Sequence, residues 1–260
     1  MKNLSESWKR FPWVSRLLIL CLIVLVYSWA FSGLKVNFEY FNLFYVTEFL
    51  SRLFPPDFSV LDVAIKRLIE TIQMSIWGTT IGAILSLPIA VASARNVAPS
   101  WLQVIANFFQ NAVRSVPSII LGLIFVAATG LGAPAGTLAL GIYTIGYLGK
   151  FYQEAIEAVN PRSLESLRVA GASEIQILQY GIFPQILPLG IGYTFYMFEY
   201  NIRAASVLGI VGAGGIGFEL KSYIDAFEYN KALTMLIVLL VIITAIDAIS
   251  NELRHRLESM

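Results

Sequence analysis

The sequence predicts an all-α integral membrane protein with six transmembrane helices, and three observations carry that expectation. Of 260 side chains, 57% are hydrophobic and only 13% charged, too few polar groups to cover a water-soluble surface. The apolar residues gather in six runs, each near the ~20 residues that cross a bilayer as helix. None of the runs alternates with the two-residue period of a barrel strand, and lipid satisfies no open backbone. They are Val14 to Phe31, Ile69 to Ala94, Leu102 to Ala128, Ala135 to Tyr152, Gln185 to Val211 and Ala232 to Ile249.

The first run is too long for a signal peptide, ends at Trp29 and Phe31, and lacks a small-residue cleavage site, so it is expected to remain as an anchor. It holds the single cysteine, Cys21, which offers neither a disulfide framework nor a metal site. After it, Phe38, Tyr40, Phe41, Phe44, Tyr45, Phe49 and Phe54 crowd a segment ending at Pro55 and Pro56. Aromatic rings favour the headgroup level, and the spacing of Leu43, Val46, Leu50 and Leu53 fits a short helix lying on the membrane, either as an anchor or as a landing pad for an external partner.

In the second run Thr71, Ser75, Gly78, Gly82 and Ser86 recur at steps of three and four, the spacing of a close helix contact. Gly141, Gly146 and Gly149 give the fourth run the same character. The third run differs. Gln103, Asn107, Gln110 and Arg114 fall at steps of four, three and four, on one narrow polar arc. An arginine inside a membrane faces a bundle interior or an aqueous cavity, so Arg114 reads as part of a substrate pathway or as a pairing group for a neighbouring helix. The fifth run carries Glu199 and Arg203, whose spacing and order suit an ion pair within the helix. That pair is either self-neutralised or substrate-facing.

The formal net charge of +1 removes any global attraction to nucleic acid and moves attention to where the charges lie. With the N-terminus inside, Lys2, Lys9, Arg10, Arg16, Arg95, Lys150, Arg162, Arg168, Arg254 and Arg256 are cytoplasmic, against Lys35, Arg52, Lys66, Arg67, Lys221 and Lys231 outside. Both termini are then cytoplasmic, and so is the segment Glu165 to Pro184.

That segment predicts a knob of two short helices. Asn160 and Pro161 start the first, Gly171 stops it, and Ser173 with Gln176 forms a capping box for a second that runs toward Gly181 and ends before Pro184. A helix-turn-helix DNA reader is excluded, because Glu174 to Tyr180 contains no Lys or Arg. Glu165, Leu167, Arg168, Ile175 and Leu178 are expected to form a surface that fits a groove on a soluble protein.

Glu165, Ser166, Leu167, Gly171 and Pro184 resemble the E-A-A, three residues, G, nine residues, I-x-L-P loop of ATP-binding-cassette importer permeases. Ser166 and Leu167 stand in place of the alanines, and Gly181 and Phe183 in place of isoleucine and leucine. The strings EAIEAVNPRSLESLRVAGAS, YGIFPQILP, FEYNIRAASVLGIVGAGGIGFEL and VRSVPSIILGL together resemble the phosphonate-importer permeases. The resemblance implies a type I importer core over 67–253, coupling loop at about 154–184, preceded by an anchor and external segment (1–66) and followed by a cytoplasmic tail (254–260). It implies that Glu165, Leu167, Arg168, Ala170, Gly171, Ser173 and Glu174 engage an ABC ATPase dimer, and that the chain pairs with a second copy of itself in the bacterial plasma membrane. An external substrate-binding protein would deliver a phosphonate, or a related phosphite or phosphate anion, to a pathway holding Gln103, Asn107, Gln110, Arg114, Glu199 and Arg203.

Gly212, Gly214 and Gly217 match G-x-G-x-x-G, but they follow a membrane run rather than a soluble strand, so no dinucleotide site is expected. Together with Gly215 they are expected to turn the chain at an external gate. No G-x-x-x-x-G-K-[ST] occurs, so ATP and Mg are expected in a partner and no cofactor or metal in this non-catalytic chain. The alternative is an ion-coupled secondary transporter or channel, which often carries inverted repeats; none is evident.

Overall fold

The computed structural model describes residues 13–33 and 42–258, a chain that divides into two compact units, Met1–Ser51 and Arg52–Met260. Lys2, Lys9, Arg10, Lys35, Phe38, Tyr40 and Phe41, and the side chains of Arg254, His255 and Arg256, lie outside the described residues. In the first unit, α1 (Trp13–Gly33) is a 21-residue apolar helix with Cys21 exposed. α2 (Leu43–Leu53), which crosses the division, starts where Asn42 Oδ1 accepts the Phe44 N–H at 3.0 Å.

The second unit is a helix bundle. A 3₁₀ turn (Phe58–Val60) leads into α3 (Leu61–Ser93), followed by α4 (Ser100–Ser115), α5 (Ser118–Thr129) and α6 (Ala133–Ala158). Then come α7 (Pro161–Val169), α8 (Phe183–Ile210), α9 (Gly215–Asp225) and α10 (Tyr229–Glu258). The domain boundary expected after residue 66 falls within α3.

α6 is the central post. It buries residues all round its circumference, from Ala135 through Leu140, Thr144 and Leu148 to Ile156. The stripe expected on α3 packs here, with Thr71, Ser75, Gly78, Gly82 and Ser86 all buried. A Cβ at Gly78 would lie 2.7 Å from Leu140 Cβ, so the two backbones approach as closely as they do only because no side chain intervenes. Inside the bundle Asn201 of α8 donates to Thr79 Oγ1 and Thr144 Oγ1, both at 2.8 Å, tying α3, α6 and α8 at one level.

Among the described residues, three helical stretches are long and apolar enough to cross a membrane: Phe58–Ser93, Glu174–Asp225 and Tyr229–Leu253. α4 and α5 together make a fourth, but not the straight run expected over Leu102 to Ala128, because the chain turns by 88° between them. The cause is Pro117, which has no N–H to donate and forces Val116 to extended dihedrals (φ −93°, ψ 118°). α6, at 26 residues, is long enough to span, yet its glycines, threonines and tyrosines dilute its apolarity. They pack against other helices rather than outward.

Candidate functional site

The polar arc of α4 separates into two parts. Two members act at the end of α3, where Asn107 Nδ2 donates to Ser93 O at 3.3 Å and Gln110 Nε2 to Ser93 Oγ at 3.0 Å, while Gln103 Nε2 closes on Ala98 O of the following loop at 2.7 Å. Gln153 of α6 also donates to Ser93 O, at 3.1 Å. These amides satisfy the Ser93 and Ala98 carbonyls and the Ser93 hydroxyl, and they fasten α4 and α6 to the end of α3.

Arg114 stands apart, in the last turn of α4 beside the Pro117 break. Its guanidinium carbon lies 5.0 Å from the centroid of the Tyr147 ring. Its Nε is buried without a hydrogen-bond partner, and among the described residues no carboxylate neutralises it. Tyr147 stacks on Tyr143 at 4.5 Å, Tyr143 stacks on Tyr200 of α8 at 5.3 Å, and the hydroxyls of Tyr143 and Tyr200 are 2.8 Å apart.

Arg203 is handled in the opposite way. It pairs with Glu199 one turn earlier, and its Nη1 reaches both oxygens of Asp247 on α10 at 3.1 and 3.0 Å. Two carboxylates therefore face one guanidinium, and the group joins α8 to α10. Asp247 was not among the residues expected at a site. The pointer was present: it is the one acid in the run Ala232 to Ile249.

At the end of the bundle where α3 and α6 finish, the knob is built largely as its sequence requires. Asn160 Oδ1 accepts the Arg162 N–H at 3.0 Å, Pro161 opens α7, and Gly171 turns the chain with φ +86°. Ser173 and Gln176 make the reciprocal capping box. The second helix, however, does not end before Pro184. The turn Glu174–Gln176 continues through a π-helical turn, Ile177–Ile182, directly into α8. Pro184 sits in the first turn of α8, where its missing N–H is tolerated, and the wider π turn lets Phe183 N–H bond back to Leu178 O. The knob is thus α7 hinged by glycine onto the head of α8.

The exposed surface of the knob also differs from expectation. Leu167 turns back toward Gly181 and Leu178 packs on the core beside buried Leu164 and Ile177. Glu165, Arg168, Ala170, Gly171, Ser173 and Glu174 are exposed, with Val169 and Ile175 the prominent aliphatics at 85% and 76%. Arg168 bridges the turn to Glu174 at 3.3 Å. Behind the knob, Glu157 accepts from Gln153 Nε2 and the Arg95 N–H, both at 3.0 Å. Burial alone would raise this carboxyl, but those hydrogen bonds and the nearby Arg95 and Lys150 charges outweigh it and hold it below its usual 4.5.

At the opposite end, Gly212, Gly214 and Gly215 take φ of +92°, +82° and +75°, and the run folds α9 back onto the end of α8. Gly217 lies against Ser206 O so closely that no Cβ fits, and Gly212 O accepts from Gly132 N at 2.9 Å. Arg67 of α3 spans this end, donating to Glu70 at 2.9 Å and Glu219 of α9 at 3.2 Å. Among the described residues no cluster of His, Cys, Asp and Glu is placed to hold a metal ion.

Residues 82–259, covering the broken span, the knob and the glycine turn, match the family described as the binding-protein-dependent transport system inner membrane component. The chain belongs to this family. It is a multi-pass inner-membrane permease subunit. It is 42% identical over 233 residues to the phosphite transport system permease protein PtxC of Stutzerimonas stutzeri, covering 89% of this chain and 85% of that one. It is 38% identical over 232 residues to the phosphate-import permease protein PhnE of Mycolicibacterium smegmatis, covering 88% of this chain and 44% of that longer one. A chain of the MetNI methionine ABC transporter, solved in inward-facing conformations, superposes with a TM-score of 0.68 at 20% identity, over 77% of this chain and 99% of its own. The fold is therefore that of the ABC importer permeases.

Proposed function

We propose that this permease carries a small tetrahedral phosphorus oxyanion, phosphite or a phosphonate, inward across the plasma membrane, and that Arg114 is the cation that balances the anion's charge on the way. Relatives named for phosphite, phosphate and phosphonate transport support the substrate class. The observation that carries the site is the contrast between two arginines. Arg203 faces two carboxylates and binds helices together, whereas Arg114 has only an aromatic face and a buried Nε without a partner.

A guanidinium and a monoanion about 5 Å apart attract by ~3 kcal/mol at an effective dielectric constant of 20. That attraction lowers the barrier to an anion without trapping it, which suits a subunit that must release what it receives. A separate ATPase dimer, holding ATP and Mg, engages the knob at Glu165, Arg168 and Glu174, and its closure turns the cavity outward. Two copies of this chain face each other, a binding protein delivers the anion at the Gly212–Gly217 end, and both termini are cytoplasmic.

The test is uptake of phosphite into vesicles reconstituted with permease, ATPase and binding protein. Arg114→Gln lowers uptake by at least tenfold while the complex still assembles, and wild-type uptake in that variant removes Arg114 from the pathway. Uptake driven by an ion gradient without ATP would replace the importer with an ion-coupled transporter.

A further inference from the structure

We propose that Tyr147 is the positioning residue for Arg114, holding the guanidinium over its ring so that the N–H groups pointing away from the ring are presented to a tetrahedral oxyanion. This rests on the reading of Arg114 as the pathway's cation and adds how that cation is held. Arg114 has no hydrogen bond to another side chain or carbonyl among the described residues, so the hydrogen bonds that usually orient a buried guanidinium are absent. What remains is the ring of Tyr147, 5.0 Å from the guanidinium carbon.

The geometry around this contact leaves the side chain little choice. A Cβ at Gly146 would lie 3.1 Å from Arg114 Cγ and 2.9 Å from Val113 Cγ1, so the stem of Arg114 already runs against the α6 backbone. Its head then meets the next residue along α6, Tyr147. Tyr147 is itself braced, stacked on Tyr143 at 4.5 Å with 29° between planes, and Tyr143 lies nearly parallel (8°) to Tyr200 with their hydroxyls hydrogen-bonded. A guanidinium held over a ring keeps the N–H groups that point away from it free for bidentate hydrogen bonds to two oxygens of one anion, which a lysine ammonium does not reproduce. Tyr200 belongs to α8, the helix that continues from the knob, so the brace links the anion's cation to the element that the ATPase moves.

The experiment measures ATP-driven phosphite uptake in the reconstituted importer, with assembly and basal ATP hydrolysis followed in parallel. Tyr147→Leu lowers uptake about three- to tenfold with assembly intact, the range that corresponds to a cation–π contact of ~0.7–1.4 kcal/mol. Tyr147→Phe, which keeps the ring, restores at least half of it. In the Arg114→Gln background Tyr147→Leu adds nothing further, because the group it positions is gone.

If Arg114→Gln itself transports normally, the reading of Arg114 fails. If Arg114→Gln is impaired but Tyr147→Leu is not, or if the two losses multiply, the positioning role fails while that reading stands. Should Tyr147→Leu not assemble, Tyr147→Met fills the same space without a ring and takes its place. Failure of both to assemble makes Tyr147 a packing residue and overturns the proposal.

Discussion

Replacing Gly171 isolates the hinge of the knob. Its φ of +86° lies where L residues are strained, and a Cβ there would meet nothing within 4 Å, so Gly171→Ala adds backbone strain and no clash. That strain is ~1–2 kcal/mol. Against it, Leu164 and Ile177, at 3% and 2% exposure, hold the knob on the bundle, and full burial of each contributes ~1.5–3 kcal/mol. The knob therefore stays attached, but the equilibrium constant between the left-handed turn that the ATPase binds and a relaxed turn falls by about 5- to 30-fold relative to wild type. Titrating the ATPase subunit onto detergent-solubilised permease reads this as a right-shifted binding curve, with ATP-driven uptake lowered in step. Gly171→Asn is the control, since asparagine tolerates the left-handed region better, and it stays within about threefold of wild type. Wild-type binding and uptake in Gly171→Ala would refute the hinge, and equal losses in Ala and Asn would show that strain is not the cause.

Removing both carboxylates from Arg203, as Glu199→Gln with Asp247→Asn, destabilises the permease by ~1–3 kcal/mol, less than for a fully buried pair because the arginine side chain is 42% exposed; thermal unfolding in detergent measures it. By contrast Glu174→Gln, which breaks the exposed pair with Arg168, shifts unfolding by less than ~0.5 kcal/mol. Gly78→Ala forces the α3 and α6 backbones apart at Leu140 and lowers stability by ~1–3 kcal/mol in the same assay. The Glu157 carboxyl is held below its usual 4.5, so its ties to Gln153 and Arg95 contribute stability above that pH and lose it as pH falls through the lower folded value. Glu157→Gln is accordingly less stable than wild type at pH 7, and the difference narrows as pH falls through the lowered folded value.

The sequence revealed helices where local chemistry decides and misread them where a neighbour decides. Asn160, Pro161, Gly171 and the Ser173–Gln176 box mark the knob because each acts within a few residues of itself, and the structure follows them. The end assigned before Pro184 was wrong because a proline in a first helical turn neither breaks a helix nor proves a boundary, and the π turn ahead of it left no trace in hydrophobic periodicity. The run Leu102 to Ala128 looked continuous because apolarity carries no information on direction. The break was written only in Val116–Pro117, inside the quoted string VRSVPSIILGL.

The polar positions divide along the same line. A four-residue step made the Glu199–Arg203 pair legible, since the two groups ride on one helix. Asp247 lies 44 residues beyond Arg203, and only packing of α8 on α10 brings them together, so the neutralisation of that arginine could not be read from spacing. The arc Gln103–Asn107–Gln110–Arg114 was legible as a face but not as four separate fates. Two of its members, Asn107 and Gln110, meet the end of α3 because Ser93 happens to finish there, Gln103 closes on the loop at Ala98, and the fourth lies one turn beyond Gln110. What distinguishes Arg114 from Arg203 is thus not residue type or periodicity, which they share, but whether a second helix delivers an acid. Placing a carboxylate opposite Arg114 converts it into a second Arg203. Tyr147→Glu, at the ring that the Arg114 guanidinium faces, is expected to lower phosphite uptake further than Tyr147→Leu does while leaving the complex assembled, and retained uptake with that carboxylate in place would mean that a free positive charge at this break is not what the anion requires.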